Sequence, residues 1–320
     1  MGVTVEVEAE AERARDGGGP RLTVAISGAG GLIGSALRAF LEGRGHRVVR
    51  LVRGRAAGHG EVACDPAEGR IDAERLEGLD ALVHLAGENI AARRWSPAQK
   101  RRIRDSRVQG TRLIARALAE RKRPPGVLIT ASAIGYYGNR GDETLDESSG
   151  PGVGFLAETC REWEAQTVSA ERAGIRVVLL RSGLVLSRDG GALARMLWPF
   201  RLGLGGRIGD GRQFMSWIAI DDLTRVIHHA LRATDLVGPV NAVAPSPVRN
   251  AEFVRGLAAT LRRPAVVPFP AFLVHLLLGE MGRELLLGSA RVVPRVLERT
   301  GFRFRHRELA SALEAQLGRG

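Results

Sequence analysis

The chain has 320 residues, 44% of them apolar, and a formal charge of +12. This length and composition are typical of a globular protein with one large α/β domain and a smaller lobe. Two cysteines exclude a disulfide framework and favour a reducing, cytoplasmic setting. The longest apolar run near the C-terminus, at 272–278, is far too short to span a bilayer. We therefore expect no membrane partner.

Arginine supplies 45 of the 47 basic residues, so the charge alone is weak evidence for a nucleic-acid partner. The densest basic stretch, at 93–107, begins a helix that also carries an apolar stripe typical of globular packing. No nucleic-acid motif is present, and aromatic residues do not alternate with the basic ones. The sequence therefore predicts no nucleic-acid binding.

Residues 1–20 are predicted to be a disordered acidic tail.

A strand–turn–helix signal begins at Leu22–Ile26, an apolar run with the length of a buried strand. Gly28, Gly31 and Gly34 follow at three-residue spacing, and a helical pattern begins at Leu32. Such glycines permit a tight turn, a close approach to pyrophosphate and close helix–strand packing. The free N–H groups and the dipole of the helix then face the phosphates. The stretch predicts a dinucleotide-binding turn; the alternative is a glycine-rich turn without a ligand.

The second predicted strand, at 46–52, ends in arginines where the usual dinucleotide fold has an acid that binds the ribose hydroxyls. An acid there would repel a 2′-phosphate, whereas a guanidinium pairs with one in a fork geometry. The sequence therefore predicts NADP(H) in preference to NAD(H), with Arg53 holding the 2′-phosphate. The alternative is a surface arginine in an arginine-rich chain.

Alternating strands and helices continue along the chain and predict an α/β fold with a Rossmann-type doubly wound parallel sheet. Further strands are expected at 61–64, 81–85, 127–132, 175–180 and 240–243, and helices at 96–121, 153–172 and 221–232; residues 217–220 should lead the chain back toward the sheet. We place the Rossmann domain at 21–245, including a substrate-side loop at 186–220. A small, mostly helical C-terminal lobe at 246–320, with helices at 250–262, 270–278, 283–299 and 306–317, should cover the ligand edge of the sheet.

Two further features bear on ligands. Ala86 and Gly87 follow a buried strand, and such small residues let a flat ligand lie against the backbone. Arg107 lies at the edge of the apolar stripe of its helix and can point back to the sheet edge. The histidines are scattered, and His228 and His229 point to different sides of one helix, so no metal site is predicted.

Three segments resemble the extended short-chain dehydrogenase/reductases: Ser27–Gly34, His84–Ile90 and Ser132–Gly138. The likeness is greatest to an atypical branch, the epimerase family proteins, within the NAD-dependent epimerase/dehydratase superfamily. The tail from Asn250 resembles that branch's C-terminal domain of unknown function. The resemblance covers about 21–318 and implies a Rossmann-type domain with a small C-terminal lobe. It also implies a homodimer formed through two sheet-flanking helices.

The resemblance implies a set of cofactor contacts. The pyrophosphate would meet Gly28, Leu32, Ile33 and Gly34, and the 2′-phosphate would meet Arg53. The adenosine and ribose would lie against Leu85, Ala86 and Gly87. Arg107 occupies the helix position where relatives often hold an asparagine.

The resemblance fails at the catalytic pair. The family uses a tyrosine with a lysine four residues later, whose ammonium favours the phenolate. Our alignment puts Phe155 and Thr159 at these positions, and neither can move a proton in that way. Tyr136, four residues after Ser132, is the candidate acid/base, and Ser132 would hydrogen-bond the substrate oxygen. The alternatives are that Tyr136 packs in the core and that Ser132 is a turn residue.

Two functions therefore stay open. The first is an NADP(H)-dependent epimerase or oxidoreductase with a non-standard site, acting on a sugar nucleotide or a small carbonyl compound. The second is an NADP(H)-binding sensor or scaffold without turnover, which the missing tyrosine–lysine pair motivates.

Overall fold

The computed structural model describes residues 20–56, 58 and 60–318; the predicted tail, apart from Pro20, lies outside them. An eight-stranded sheet forms the centre of the molecule. Its strands, in chain order, are β1 (Thr23–Ser27), β2 (Arg47–Val52), β3 (Glu61–Asp65), β4 (Arg70–Ile71), β5 (Ala81–His84), β6 (Val127–Ala133), β7 (Arg176–Ser182) and β8 (Gly238–Ala242).

The helices lie on both faces of this sheet and in the C-terminal part of the chain. They are α1 (Leu32–Glu42), α2 (Pro97–Ala119), α3 (Phe155–Glu164), α4 (Val168–Arg172), α5 (Gly191–Arg201), α6 (Ile220–Arg232), α7 (Asn250–Leu261), α8 (Ala271–Leu285), α9 (Arg295–Arg299) and α10 (Leu309–Leu317). Short strands outside the central sheet are Thr144–Leu145, Leu184–Leu186, Phe214–Met215, Trp217–Ala219, Val248–Arg249 and Arg291–Val292.

The strand order is β8-β7-β6-β5-β1-β2-β3-β4, and every neighbouring pair is parallel except β3 with β4. The chain adds β2 and β3 on one side of β1 and then crosses to add β5 to β8 on the other. The order therefore reverses between β1 and β5, and ligands of such sheets bind at the carboxyl ends of the strands that flank this point. The predicted Rossmann-type sheet is confirmed.

Alternate residues of β1 reach two separate cores, because successive strand residues face opposite sides of the sheet. Val24 and Ile26 pack in a core that includes Leu37 of α1 and Leu223 of α6. Ala25 faces the opposite core, which contains residues of α2. The two cores hold β1 and its following turn rigidly between the layers.

A third core builds the lobe, and it draws on two parts of the chain. Leu193 and Leu197 of α5 pack there with Phe253 of α7 and Leu313 of α10. Leu297, near the end of the chain, packs instead in the core of the central sheet. Among the described residues, no helix is both long enough and apolar enough to cross a membrane.

The segment expected to be a substrate-side loop, 186–220, contains α5. Leu193, Leu197 and Phe200 recur at helical spacing and are buried, although Pro199 lies inside the same helix. Trp217–Ala219 pairs in parallel with Leu184–Leu186, so the segment is anchored at both ends. Residues 187–190 and 202–213 of this segment lie in neither a helix nor a named strand.

Two predicted helices differ in the structure. The helix at 153–172 is interrupted by a 3₁₀ turn at Ala165–Thr167, where the Thr167 hydroxyl donates to the Glu164 carbonyl oxygen. The helix predicted at 283–299 is wrong, because 283–285 form the end of α8 and only Arg295–Arg299 form a separate helix there. Pro294 has no N–H for a helical bond, and Val293 N donates to Leu145 O instead. The preceding helix, α8, is longer than expected.

Candidate functional site

The turn between β1 and α1 brings five of the predicted cofactor residues together. Gly28 has a φ of +70°, and a Cβ built on it would lie 2.9 Å from the backbone nitrogen of Ala86. A Cβ on Gly34 would lie 2.2 Å from the Gly28 carbonyl oxygen. Both positions therefore require glycine.

The first turn of α1 presents its backbone to the same edge. Gly31 is the N-cap and supplies no capping side chain. The first intrahelical bond runs from Ser35 N to Gly31 O, so the N–H groups of Leu32, Ile33 and Gly34 precede it. These are the groups that a helix N-terminus offers to an anion.

Leu85, Ala86 and Gly87 lie directly across from this turn, and Ser27 holds them there. The Ser27 hydroxyl oxygen accepts from Leu85 N at 3.1 Å and from Ala86 N at 3.2 Å. The same hydroxyl lies 2.5 Å from His84 Nδ1, to which it donates its proton. The Ser27 side chain at the end of β1 therefore bonds to the backbone that follows β5. These hydrogen bonds hold together the two strand ends that flank the switch point.

His84 must stay neutral in this arrangement. Complete burial and then the positive charge of Arg107 lower the pKa of His84 to about 4. Its second ring nitrogen is buried and has no hydrogen-bond partner in the described residues. His84 is therefore a structural residue behind the cofactor edge.

Arg107 points back to the sheet edge, as its helix position predicted. Its Nη1 donates to Glu88 O and Ile103 O, both at 3.0 Å. Its Cζ lies 3.4 Å from the position of a Cβ on Gly87 and 5.1 Å from the Trp163 ring centroid. Burial lowers the pKa of the guanidinium.

Arg53 stands apart from these groups. It follows β2, whose residue Leu51 pairs with Ser27, so it lies beside the cofactor turn. Its side chain is exposed and makes no ion pair within the described part of the chain. It is therefore accessible to an anion at this edge.

A buried network lies behind the end of β6, and the sequence did not reveal it. The Glu164 carboxylate accepts from Ser132 Oγ at 2.6 Å and from Arg181 Nε and Nη2 at 2.8 and 2.7 Å. Arg181 Nη1 donates to the Tyr137 hydroxyl at 3.1 Å. That hydroxyl in turn donates to Asn241 Oδ1 at 2.7 Å. All five side chains are buried.

The charges of this network compensate each other. Burial opposes the charge of Arg181, but the hydrogen bonds and negative charge of Glu164 outweigh it and raise the pKa of the guanidinium. Burial also raises the pKa of Tyr137, although Arg181 partly opposes that shift. Removing either member of the ion pair would leave an uncompensated charge in the core.

Ser132 and Tyr136 are placed differently from one another. Ser132 is 3% exposed and donates its hydroxyl proton to Glu164, so in this arrangement that proton is not free to bond a substrate oxygen. Tyr136 is half-buried, and its ring centroid lies 3.5 Å from Arg181 Cζ. Tyr137, its neighbour, is fully buried and belongs to the core. One tyrosine of the pair therefore remains accessible.

The positions aligned with the missing catalytic pair hold a packed aromatic ring and a buried threonine. The Phe155 ring lies 5.0 Å from the Trp95 ring and 4.6 Å from Lys100 Nζ. Thr159 is buried, and its hydroxyl has no partner in the part of the chain described. These contacts leave no tyrosine–lysine pair at this place.

Helix α8 of the lobe contacts α2 and α3 on this side of the site. Glu284 accepts from the backbone nitrogens of Phe155 and Leu156, both at 3.0 Å, and so caps α3. Lys100 of α2 donates to both carboxylate oxygens of Glu280 at 2.9 Å. The lobe thus contacts the domain beside the ligand edge.

Comparison with known proteins identifies the class. The model of the NAD-dependent epimerase/dehydratase family matches residues 24–243, and the model of a domain of unknown function, DUF1731, matches residues 269–316. The chain belongs to the NAD-dependent epimerase/dehydratase family. This confirms the resemblance inferred from the sequence.

Individual relatives extend over nearly the whole chain. Epimerase family protein MT2273 of Mycobacterium tuberculosis is 46% identical over 292 residues, which are 91% of this chain and 96% of the relative. Epimerase family protein SDR39U1 of Homo sapiens is 38% identical over 298 residues, 92% of this chain and 99% of the relative.

Two solved structures are similar. The crystal structure of human SDR39U1 (isoform2) with NADPH has a TM-score of 0.84 and 36% identity, covering 92% of this chain and 99% of that one. The crystal structure of a nucleoside-diphosphate sugar epimerase from Corynebacterium glutamicum has a TM-score of 0.78 and 40% identity, and the match covers 93% of this chain and 59% of that one.

Proposed function

We propose that the chain is an NADP(H)-binding, epimerase- or oxidoreductase-like protein of the atypical short-chain dehydrogenase type. The observation that best supports this proposal is the close backbone approach among Gly28, Gly34 and Ala86, which leaves no room for a Cβ at either glycine. Backbone N–H groups freed of side chains fit a pyrophosphate. The human relative crystallised with NADPH supports the same assignment.

The preference for NADP(H) over NAD(H) rests on Arg53. An exposed guanidinium without an ion pair in the described residues lies next to the cofactor turn. A 2′-phosphate would gain a charge-assisted, bidentate contact there, and no carboxylate follows β2 at 50–56 to favour a free hydroxyl.

Replacing Arg53 tests this preference. Because a charged hydrogen bond contributes about 1.5–3 kcal/mol, we expect Arg53→Ala to raise the Kd for NADPH about tenfold or more and leave that for NADH unchanged. Titration of nicotinamide fluorescence measures both constants. Arg47→Ala, an exposed arginine at the opposite end of β2, is the matched control. An Arg53→Ala protein with the wild-type preference would refute the assignment.

The proposed chemistry is hydride transfer, which the nicotinamide supplies when bound. Tyr136 exchanges the proton at the substrate oxygen, and the cation–π contact with Arg181 holds its ring in place. Ser132 acts through Glu164, whose other bonds orient Arg181. The substrate class is a sugar nucleotide or a small carbonyl compound.

Two tyrosine variants separate chemistry from stability. With a substrate in hand, we expect Tyr136→Phe to lower kcat about 100-fold or more, because general acid–base catalysis contributes that much, and to leave the Kd for NADPH unchanged. Tyr137→Phe should instead lower the free energy of unfolding by about 1–3 kcal/mol, because it leaves the buried atoms Asn241 Oδ1 and Arg181 Nη1 without their hydrogen-bond partner. If Tyr136→Phe and Ser132→Ala both kept wild-type turnover, the catalytic assignment would be wrong.

A second candidate is an NADP(H)-binding sensor or scaffold without turnover. The observation that favours it is the packing of Phe155 against Trp95 and Lys100, where the family has its tyrosine. A screen of carbonyl compounds and sugar nucleotides with NADPH discriminates the two. Any substrate-dependent fall in NADPH absorbance eliminates the sensor.

A further inference from the structure

The C-terminal lobe carries an apolar surface, which we call the lobe patch and define as residues 198–207 and 262–277. It holds eight of the eleven large apolar side chains that are exposed in the described residues. Trp198 is 71% exposed, Phe272 is 67% exposed and Leu276 is 66% exposed. Isolated exposed apolar residues are ordinary, but a cluster of this size marks an interaction surface.

The two segments of the lobe patch are physically joined. Val267 N donates to Gly205 O at 3.1 Å, and Phe269 N donates to Arg207 O at 2.8 Å. A Cβ on Gly203 would lie 3.5 Å from the Pro264 ring. Helix α8 begins directly after this pairing, so the exposed side chains of both segments belong to one surface.

Helical spacing adds to this continuity. Trp198 and Leu202 are four residues apart at the end of α5, and Phe272 and Leu276 are four residues apart in α8. Residues at this spacing lie one above the other on the same helix face. Each helix therefore contributes an apolar stripe to the lobe patch.

The charge of this region has one sign. Residues 190–209 and 253–279 contain no Asp or Glu. They contain six arginines, all exposed: Arg195, Arg201, Arg207, Arg255, Arg262 and Arg263. Within the residues that the structure describes, none of the six pairs with a carboxylate. The lobe patch thus combines exposed apolar side chains with four exposed arginines of its own, Arg201, Arg207, Arg262 and Arg263, that no carboxylate neutralises within the described residues.

These charges decide between the candidate occupants. A second copy docked face to face would bring two sets of arginines together with no carboxylates between them, and like charges oppose such an interface. A nucleic acid supplies phosphates but gives aliphatic side chains nothing apolar to enter. An anionic bilayer supplies both, since Trp, Phe and Leu enter the headgroup boundary while arginines meet the phosphates.

We propose that the lobe patch binds the chain peripherally to an anionic phospholipid surface. This proposal differs from the expectation of no membrane partner, which rested on the length of apolar runs along the sequence. The patch is assembled from two segments that lie far apart in sequence, so no single run reveals it. The proposal is independent of the cofactor and of turnover.

Co-sedimentation of the full chain with vesicles tests the proposal. We expect binding to vesicles of equal parts phosphatidylcholine and phosphatidylglycerol at least about tenfold stronger than to phosphatidylcholine alone, since each arginine near the surface adds attraction. Raising the salt from about 0.1 M to about 0.5 M should release the protein, because it screens these charges.

Two double variants localise the effect. Phe272→Ser with Leu276→Ser removes apolar contact, and Arg262→Glu with Arg263→Glu reverses charge; each should lower binding about tenfold or more. The controls change exposed residues elsewhere: Val237→Ser for the apolar pair and Arg116→Glu for the arginines. Unfolding midpoints equal to wild type show that each variant is folded.

Three results would overturn the proposal. The first is equal binding to neutral and anionic vesicles, or binding to neither. The second is wild-type vesicle binding by folded lobe-patch variants. The third is a lower oligomeric state of Phe272→Ser with Leu276→Ser in light scattering without vesicles, which would make the patch an interface between copies of the chain.

Discussion

The closest backbone approach in the cofactor turn occurs at Gly34, where a Cβ would meet the Gly28 carbonyl oxygen at 2.2 Å. At Gly31 the same atom would lie 3.3 Å away. Gly30, in the same turn, has nothing within 4 Å of its Cβ position. The sequence motif singled out the glycines at three-residue spacing and omitted Gly30, and the distances supply the physical reason for both.

A pair of alanine substitutions tests this difference. Gly34→Ala forces helix α1 away from the turn, and since overpacking costs about 1–3 kcal/mol we expect a lower free energy of unfolding by that amount and weaker NADPH binding. Gly30→Ala, the matched control, should change neither quantity. Urea unfolding and cofactor titration measure the two. If the two variants had the same free energy of unfolding and the same affinity for NADPH, the close approach of Gly34 to Gly28 would not be needed for stability or for cofactor binding.

The sequence predicted some single residues of the site and not others. Ser132 was identified at the right strand end, but its partner Glu164 was not, because a glutamate on a helix is ordinarily solvated. One signal was available: Cys160, Glu164 and Thr167 recur at helical spacing on the buried side of that segment. Arg181, which follows the apolar run at 177–180 within β7, is the complementary signal.

At the scale of elements, a histidine pair joins the α1–β2 connection to α6. His46 Nδ1 accepts from Leu22 N at 3.1 Å, so its proton is on Nε2, which lies 3.3 Å from His228 Nε2. Arg232 Nε also donates to His228 Nε2, at 3.2 Å. Burial and then Arg232 lower the pKa of both rings, that of His228 to about 3. The pair packs only in its neutral form.

This pair predicts a loss of stability in mild acid. The folded pKa values lie below the ordinary 6.5, so the unfolded chain binds more protons as the pH falls below 6.5 towards about 3. The stabilisation is complete above pH 6.5 and decreases through that window, by up to about 1.4 kcal/mol per pH unit for each histidine. Urea unfolding at a series of pH values measures the slope.

His228→Gln should reduce the slope of the free energy of unfolding against pH, by as much as the uptake of one proton contributes. His275→Gln, which changes an exposed histidine of α8, should keep the wild-type slope. His84, also lowered in pKa by burial, retains part of the dependence in both variants. Identical slopes for His228→Gln and wild type would contradict the role of the pair.

At the scale of the whole molecule, the alternation of strands and helices predicted the central sheet because each βαβ unit is local in sequence. The buried network was not predictable in this way, since Ser132, Glu164, Arg181 and Asn241 lie on different elements. The helices of the C-terminal lobe were predicted only in part, for a related reason. Its core joins α5 to α7 and α10, and the helix expected at 283–299 gives way to Pro294 and a short strand.

We propose that the molecule has a dinucleotide site that prefers NADPH, and equilibrium binding of NADPH and NADH to the full chain tests this preference most directly. Nicotinamide fluorescence reports both constants under the same conditions. We predict a Kd for NADPH at least about tenfold below that for NADH, since a single charge-assisted contact to the 2′-phosphate is sufficient. Tight binding of neither would contradict the account and make the glycine turn a purely structural feature.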